Sequence, residues 1–160
     1  MGLLYRLQHM HEVRTWEGEV PIFSRYTVGI AGERFFREIK DYGRFWAVRC
    51  PRCDVVYFPP RLYCERCFAH LEDWVEVPTT GRVHTFTVVH LDLDGNLLPK
   101  PRILAFVQID GTDGGLVHDL GEVEPEEVCI GMCVEAVFKE KDQRRGSITD
   151  ILYFRPVRLG

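Results

Sequence analysis

The segment Cys50–Cys67, CPRCDVVYFPPRLYCERC, contains four of the six cysteines of this 160-residue chain, as two CxxC pairs with ten residues between them. A CxxC turn presents two sulfurs from one loop, so two such turns can surround one ion tetrahedrally. Four protein ligands leave no open position for water or substrate, which is typical of structural zinc. The pattern predicts a structural Zn²⁺ site with the ligands Cys50, Cys53, Cys64 and Cys67.

Tetrahedral iron and a redox-active CxxC pair are the alternatives for this segment. Iron uses the same ligand set in rubredoxins. Rubredoxin-like knuckles usually carry glycine just after the second cysteine, whereas Asp54 and Phe68 take those places here, which disfavours electron transfer. A thioredoxin-type site needs one pair at a helix N-terminus, not two pairs framing a hairpin.

The composition is that of a folded protein, with 46% hydrophobic and 28% charged residues. No window approaches the roughly 18 uninterrupted apolar residues of a membrane helix, and the first residues do not form a signal peptide. We therefore expect a cytoplasmic protein that does not contact a membrane. In a reducing compartment, close CxxC pairs favour metal binding over disulfides.

The residues before the cysteines predict an arm and then an amphipathic helix. Glycines and a proline interrupt any long periodic element in residues 1–32. From Glu33, the stretch ERFFREIKDY has helical spacing, and Gly43 is a plausible end. The apolar side of this helix contains Phe35, Phe36 and Ile39.

Six short runs rich in β-branched and aromatic residues follow the cysteines and predict a small closed or nearly closed antiparallel barrel. We divide the chain into an arm with the zinc ribbon at residues 1–76 and a barrel at residues 77–160. The runs are EDWVEVP, GRVHTFTVVH, RILAFVQID, GGLVHDLGEV, MCVEAVFKEK and SITDILYFRPV.

The sequence gives no catalytic motif: GxSxG, a phosphate-binding glycine loop and HExxH do not occur. His84 and His90 share one strand face and could line a pocket, and His118 with Asp119 is a possible acid–base pair. We favour ordinary strand histidines, because nothing pairs them with a nucleophile. We therefore predict no catalytic residue.

Two other pairs have simple structural interpretations. Cys129 and Cys133 lie in a turn and strand pattern, and free cysteine commonly packs as a small buried hydrophobe, so we predict burial. Asp92 and Asp94 resemble a fragment of a calcium loop, but no complete twelve-residue pattern follows, so we predict a turn.

The order of these parts closely resembles the thiolase-associated family of OB-fold proteins with a rubredoxin-like zinc ribbon. The resemblance extends over residues 24–157 and depends on the order of several motifs. The matching stretches are YTVGIAGERFFREI, RCPRCDVVYFPPRLYCERC, GRVHTFTVVH and IGMCVEAVF.

The resemblance implies a mainly β fold: an N-terminal helical arm, a rubredoxin-like zinc ribbon and a C-terminal OB-fold-like antiparallel β-barrel. It implies a non-catalytic accessory subunit of a thiolase-like complex that forms or cleaves C–C bonds in acyl-CoA thioesters, assisting assembly and acyl-CoA binding. The catalytic groups would then lie on a thiolase-fold partner. The four cysteines of the two CxxC pairs match the family's metal ligands.

The FPPR stretch, Phe58 to Arg61, is a candidate contact for this complex. Its two prolines stiffen the hairpin and fix the exit of the arginine, which could bind a phosphate or a carboxylate. Coenzyme A offers phosphates together with adenine, so we expect Phe58 and Arg61 to contact acyl-CoA or a partner. A rigid turn with a solvated arginine is equally consistent with the sequence.

A single-stranded nucleic-acid-binding protein is the alternative function, because OB folds and zinc ribbons often bind nucleic acid. Residues 33–66 carry eight basic and five acidic residues, a net +3, whereas residues 67–160 carry nine and sixteen, a net −7. An acidic barrel is poorly suited to neutralising phosphates. Phe86 and Phe106 could stack on bases, but their apolar neighbours favour core positions.

Overall fold

The computed structural model describes residues 27–157, so most of the predicted arm lies outside the described residues. Within this range the chain forms one α-helix, a three-stranded sheet and a closed five-stranded barrel, which confirms the mainly β class. The elements are α1 (Gly29–Tyr42), β1 (Phe45–Cys50), β2 (Val55–Tyr57), β3 (Asp73–Val77), β4 (Thr80–Leu91), β5 (Leu97–Ile109), β6 (Gly115–Leu120), β7 (Cys133–Phe138) and β8 (Ile151–Pro156), with short 3-10 helices at Pro125–Glu127, Lys141–Gln143 and Ile148–Asp150.

Helix α1 begins four residues before the predicted start and ends where the sequence predicts. Gly43 adopts a left-handed conformation with φ of 65°, and its N–H donates to the carbonyl oxygen of Ile39 at 3.0 Å. Glycine allows this helix-ending geometry without a steric cost. The helix buries one face, which contains Ala31, Phe35 and Ile39.

The three-stranded sheet separates two hydrophobic clusters. Strand β1 lies between β2 and β3, and both pairings are antiparallel. Because successive side chains of a strand point to opposite faces, Phe45 and Ala47 join the main core, while Val48 and Cys50 join a smaller core around the cysteines. Strand β3 comes from the first of the six predicted runs, so that run belongs to this sheet and the other five form the barrel.

The barrel has the strand order β4-β5-β6-β8-β7 and closes through pairing of β4 with β7. All pairings are antiparallel except that of β6 with β8. Five strands closed in this order form an OB fold. Strands β4 and β5 are the longest, and their paired ends extend as a hairpin beyond the barrel wall.

One aromatic cluster joins the helix, the sheet and the barrel. The ring of Phe58 lies 5.5 Å from the ring of Phe35 and 5.1 Å from that of Phe45, and Phe45 lies 5.5 Å from Phe138 of β7. These rings belong to the main core, which continues into the barrel interior. The two halves of the chain therefore share one hydrophobic core.

Backbone contacts also hold the sheet against the barrel. The N–H of Val56 donates to Oδ2 of Asp113 at 2.8 Å, and the N–H of Asp113 donates to the carbonyl oxygen of Val56 at 2.9 Å. The backbone of the next residue, Gly114, lies so close to the backbone of Phe58 that an added Cβ would be 2.0 Å from the Phe58 carbonyl oxygen. The turn between β5 and β6 thus fixes β2 on the barrel.

Replacing Asp113 by alanine should lower the free energy of unfolding by about 1–3 kcal/mol, because the buried Val56 N–H loses its acceptor. Asp94→Ala is the matched control, since Asp94 lies at the exposed β4–β5 tip, where substitutions typically change stability by less than about 0.5 kcal/mol. Urea denaturation of both variants measures the difference. Equal unfolding midpoints for the two variants would contradict the role given to Asp113.

Asp150 is a buried carboxylate with 1% exposure, at the end of the last 3-10 helix. Burial alone would raise the pKa of Asp150, but three donated backbone N–H groups outweigh burial and lower this pKa. The donors, with their shortest distances to the carboxylate, are Arg145 at 3.0 Å, Gly146 at 2.6 Å and Ser147 at 3.1 Å.

Asp150→Asn should cost about 1.5–3 kcal/mol of unfolding free energy at pH 7, because the backbone donors lose a charged acceptor. The pKa of Asp150 is lower in the folded chain than in the unfolded one. Its stabilisation is therefore complete above the ordinary aspartate pKa of about 4 and is lost as pH falls through the folded-state pKa. Chemical denaturation should show a smaller difference in unfolding free energy between wild type and Asp150→Asn at pH 3 than at pH 7.

Asp142→Asn is the control for this comparison, because Asp142 is exposed and its carboxylate accepts none of these backbone N–H groups; its free energy of unfolding at pH 7 should stay close to that of wild type. Acid also protonates the cysteine site, but that effect is common to wild type and variants and cancels in the difference. A wild-type advantage over Asp150→Asn that is independent of pH would show that the carboxylate charge does not stabilise this loop.

Candidate metal centre

The structure brings the four predicted cysteines together, with all four Sγ atoms within 4.8 Å of one another. The Cys50 and Cys67 Sγ atoms are 3.6 Å apart, and those of Cys53 and Cys64 are 3.8 Å apart. A tetrahedral ion with bonds of about 2.3 Å places its sulfurs about 3.8 Å apart. The cluster therefore has the size and the donor set of a four-cysteine zinc site.

Both knuckles form without glycine. Asp54 and Phe68 adopt the left-handed conformation, with φ of 50° and 55°. Their N–H groups donate to the carbonyl oxygens of Cys50 and Cys64 at 2.8 and 2.9 Å, and these bonds close the two turns. The missing glycines therefore do not disturb the knuckles, and their absence does not discriminate zinc from iron.

Hydrogen bonds distribute the protons unevenly within the cluster. The Tyr57 hydroxyl donates to Sγ of Cys64 at 3.2 Å, and this bond is the main cause that lowers the pKa of Cys64 to about 6. A hydrogen bond with Cys67, together with burial, raises the pKa of Cys53 to about 12. Zinc binds thiolates, so a bound cation would favour the deprotonated form of all four cysteines.

Tyr57 was not predicted as part of the site. Its approach to Cys64 depends on the pairing of β1 with β2, which residue spacing alone does not give.

The FPPR stretch separates into a core residue and a surface residue. Phe58 is only 3% exposed and packs in the main core, so its side chain offers almost no surface for the predicted contact with acyl-CoA or a partner. Arg61 remains accessible, with 47% of its side chain exposed. Its guanidinium pairs with Glu65 at 2.7 Å and lies 4.6 Å from the centre of the Tyr57 ring.

The other predicted polar residues do not form a site. His84 and His90 are exposed on β4. The carboxylate of Asp119 pairs with Arg102 at 2.8 Å, while its backbone N–H donates to Nδ1 of His118, so the two side chains are not an acid–base pair. Within residues 27–157, no further group of three or more metal-ligating side chains comes together.

The β4–β5 hairpin ends in the predicted turn. Oδ1 of Asp92 accepts the backbone N–H groups of Asp94 and Asn96 at 2.9 and 2.8 Å. The carboxylate therefore stabilises the turn, as the sequence predicts.

The prediction that Cys129 and Cys133 are buried is wrong, because both are exposed. The turn between them runs outside β4, where the Gly131 N–H donates to the Val83 carbonyl oxygen at 2.7 Å. Strand alternation then places Val134 in the core and Cys133 on the outer face.

The predicted core positions of two phenylalanines are only half correct. Phe86 packs against the main core. Phe106 stands between the buried Ala105 and Val107, so it points to the outer face of β5, where its ring is 5.8 Å from that of His84.

The one helix in the described part of the chain is too short to span a membrane, and no membrane-spanning helix is found there.

The fold and the cysteine cluster together define an OB-fold protein with a rubredoxin-like ribbon. Two family models match the chain: the rubredoxin-like zinc ribbon domain of ChsH2 over residues 37–72 and the C-terminal OB-fold domain of ChsH2 over residues 74–139. The chain is 32% identical over 128 residues to a DUF35 domain-containing scaffold protein of Pyrococcus furiosus, covering 78% of this chain and 91% of the relative. The chain belongs to the DUF35 family.

Other relatives extend these matches. A DUF35 domain-containing scaffold protein of Methanocaldococcus jannaschii is 29% identical over 160 residues, covering 98% of this chain and 99% of the relative. A probable enoyl-CoA hydratase alpha subunit of Thermomonospora curvata is 30% identical over 109 residues, covering 68% of this chain and 33% of the relative. The solved structure of an Ltp2-ChsH2(DUF35) aldolase contains a chain with a TM-score of 0.61 and 25% identity, covering 82% of this chain and 98% of that chain.

Cys50→Ser should abolish stoichiometric zinc binding and lower the free energy of unfolding by several kcal/mol, because structural zinc supplies about 10–16 kcal/mol of binding free energy in zinc-finger peptides. Cys129→Ser is the matched control, since Cys129 is exposed and lies outside the cluster. Metal analysis and chemical denaturation measure both effects. If Cys50→Ser retained one zinc per chain, or lost its zinc with no change in the free energy of unfolding, the structural role would be wrong.

Proposed function

We propose that this DUF35 protein is a non-catalytic, zinc-containing accessory subunit of a thiolase-like complex that forms or cleaves C–C bonds in acyl-CoA thioesters. The zinc ribbon and its arm, residues 1–76, and the OB barrel, residues 77–160, act as a scaffold for a thiolase-fold catalytic subunit. The observation that carries this proposal is the four-cysteine cluster, which has no coordination position left for substrate once all four sulfurs bind.

Relatives support the scaffold role. Full-length archaeal relatives are described as DUF35 scaffold proteins. One of the matching solved structures is that of an Ltp2-ChsH2(DUF35) aldolase, and the relative of Thermomonospora curvata is named a probable enoyl-CoA hydratase alpha subunit. These descriptions favour a chain that works beside a catalytic subunit on acyl-CoA chemistry.

The side chains of residues 27–157 also favour catalysis by the partner. The histidines of β4 are exposed. Asp119 is paired with Arg102, and Cys129 and Cys133 are exposed on the surface, outside the cysteine cluster. We therefore place the nucleophile and the acid–base groups on the thiolase-fold subunit.

Arg61 is the residue that we propose for a contact with acyl-CoA or with the partner. Its guanidinium is stacked on Tyr57 and held by Glu65, so its position is restricted while nearly half of the side chain stays accessible. A phosphate or a carboxylate can compete for the guanidinium N–H groups that point to solvent. Exposed ion pairs are weak, so replacing Glu65 by an oxygen of the ligand as the partner of Arg61 costs little free energy.

Single-stranded nucleic acid remains the alternative ligand, and one observation favours it: Phe106 lies on the outer face of the barrel, where OB folds bind oligonucleotides. Against it, Arg102 on the same strand is already paired with Asp119, and residues 67–160 carry a net charge of −7, from nine basic and sixteen acidic residues. Affinity for nucleic acid depends mainly on phosphate neutralisation. We therefore prefer the accessory-subunit function.

Reconstitution tests the proposal directly. The thiolase-fold subunit that co-purifies with the tagged chain from its host is identified by mass spectrometry and expressed separately. The DUF35 chain alone should show no thiolysis or condensation of acyl-CoA, and its addition should raise kcat/KM of the catalytic subunit at least about tenfold, equivalent to about 1.4 kcal/mol of transition-state stabilisation. Arg61→Gln should raise KM for acyl-CoA, or Kd for the subunit, by about 2–5-fold.

Arg82→Gln, an exposed change on β4, is the control for Arg61 and should leave both constants unchanged. Turnover by the DUF35 chain alone would contradict the non-catalytic role. Salt-dependent binding of single-stranded DNA or RNA, with no co-purifying thiolase-fold subunit, would favour the alternative.

A further inference from the structure

An arginine on helix α1 is held between two tryptophans of the ribbon sheet. Cζ of Arg34 lies 4.5 Å from the ring centre of Trp46 on β1 and 4.4 Å from that of Trp74 on β3. Cation–π contacts of this length attract the guanidinium to the two rings and restrict its position. Only the edge of the guanidinium, where the N–H groups lie, can then hydrogen-bond.

The donors of this cluster have no acceptor among residues 27–157. Trp46 Nε1 is buried and forms no hydrogen bond with the described residues. Arg34 likewise forms no ion pair within that range, whereas three carboxylates of the helix and of β3 pair with other arginines. Glu33 pairs with Arg37, and both Glu38 and Glu76 pair with Arg44, at 2.6 and 3.1 Å. Arg34 is only partly exposed, and a partly buried cation without a carboxylate beside it favours a ligand that supplies one.

The local charge disfavours a dianion as the ligand. Arg44 is opposed by two carboxylates, so Arg34, Arg44, Glu38 and Glu76 together carry two positive and two negative charges. A phosphate dianion would add repulsion from both glutamates. A carboxylate matches the single charge and the fork geometry of one guanidinium.

The indole rings beside the guanidinium point to a protein partner. Trp46 and Trp74 are partly exposed, so the site combines apolar area with a fixed charge. Tryptophan and arginine are the residues most enriched at the energetic centres of protein interfaces. An acidic side chain of a partner can reach the guanidinium edge while its neighbours cover the indoles.

We propose that Arg34, Trp46 and Trp74 form a docking site for an aspartate or glutamate of the thiolase-fold subunit. This inference rests on the proposed function and adds the contact that holds the two proteins together. The site lies between the helix and the ribbon sheet, so the ribbon positions the contact without taking part in chemistry.

The test measures the affinity of the full chain, zinc-loaded and well below its melting temperature, for the separately expressed thiolase-fold subunit. Arg34→Gln should weaken binding at least about 30-fold, because the partner carboxylate would be left without its charge. Arg34→Lys should also weaken binding, by about tenfold, because lysine keeps the charge but loses the planar fork and the stack. Arg37→Gln, one turn along the same helix and exposed, should bind like wild type.

Each other result overturns the docking site. Equal binding by wild type and Arg34→Gln would overturn it while leaving the accessory function intact, whereas a wild-type chain that binds no thiolase-fold subunit would overturn both. If Arg34→Gln lost binding but Arg34→Lys kept it fully, the positive charge alone would account for binding, and the two-pronged hydrogen bonding of a guanidinium to a carboxylate would be excluded. The last outcome concerns the chain without its partner. If changing Glu12, Glu17 and Glu19 together to Gln lowers Tm as much as Arg34→Gln does, the carboxylate that binds Arg34 would belong to the chain's own N-terminal segment.

Discussion

Four cysteine sulfurs held within 4.8 Å of one another are the constraint on which the rest of the structure depends. Thiolates at this distance repel each other unless a cation neutralises them. The first knuckle leads directly from β1 into β2, with Cys50 paired opposite Val55, so the metal site fixes the strand pairing. Strand β2 in turn delivers Phe58 into the main core. A ribbon with so small a core of its own needs metal binding for much of its folding free energy.

The shared core explains how a metal site can support a scaffold. The rings of Phe35, Phe45 and Phe58 connect the helix and the ribbon to the barrel interior, and Asp113 closes the junction through two hydrogen bonds with Val56. The cysteine cluster, the ribbon and the barrel are thus mechanically coupled. A rigid coupling of this kind suits a protein that holds a partner in a defined orientation, because preorganised surfaces lose less entropy on binding.

Local patterns predicted much of this architecture, since CxxC spacing, helical periodicity and Gly43 depend only on nearby residues. Features set by tertiary packing were not predictable in this way. Phe58 lies in a stretch that predicts a hairpin, but its side chain enters the core. Cys133 lies on the outer face of its strand, because the alternation of side chains along a strand does not by itself show which face is buried. Glycine was expected at positions that Asp54 and Phe68 occupy in the same left-handed conformation. The contact of Arg34 with Trp46 and Trp74 forms only because α1 packs against β1 and β3, and the spacing of residues in the sequence does not predict this packing.

The central claim is that a zinc-stabilised ribbon and barrel serve a separate catalytic subunit. Native mass spectrometry of the tagged protein purified from its host tests this claim most directly, because it weighs protein partners and bound metal in the same ion. The account predicts a complex that contains a thiolase-fold subunit and about one zinc for each DUF35 chain. A lone chain, a chain that carries iron, or a complex with nucleic acid in place of the catalytic subunit would contradict it.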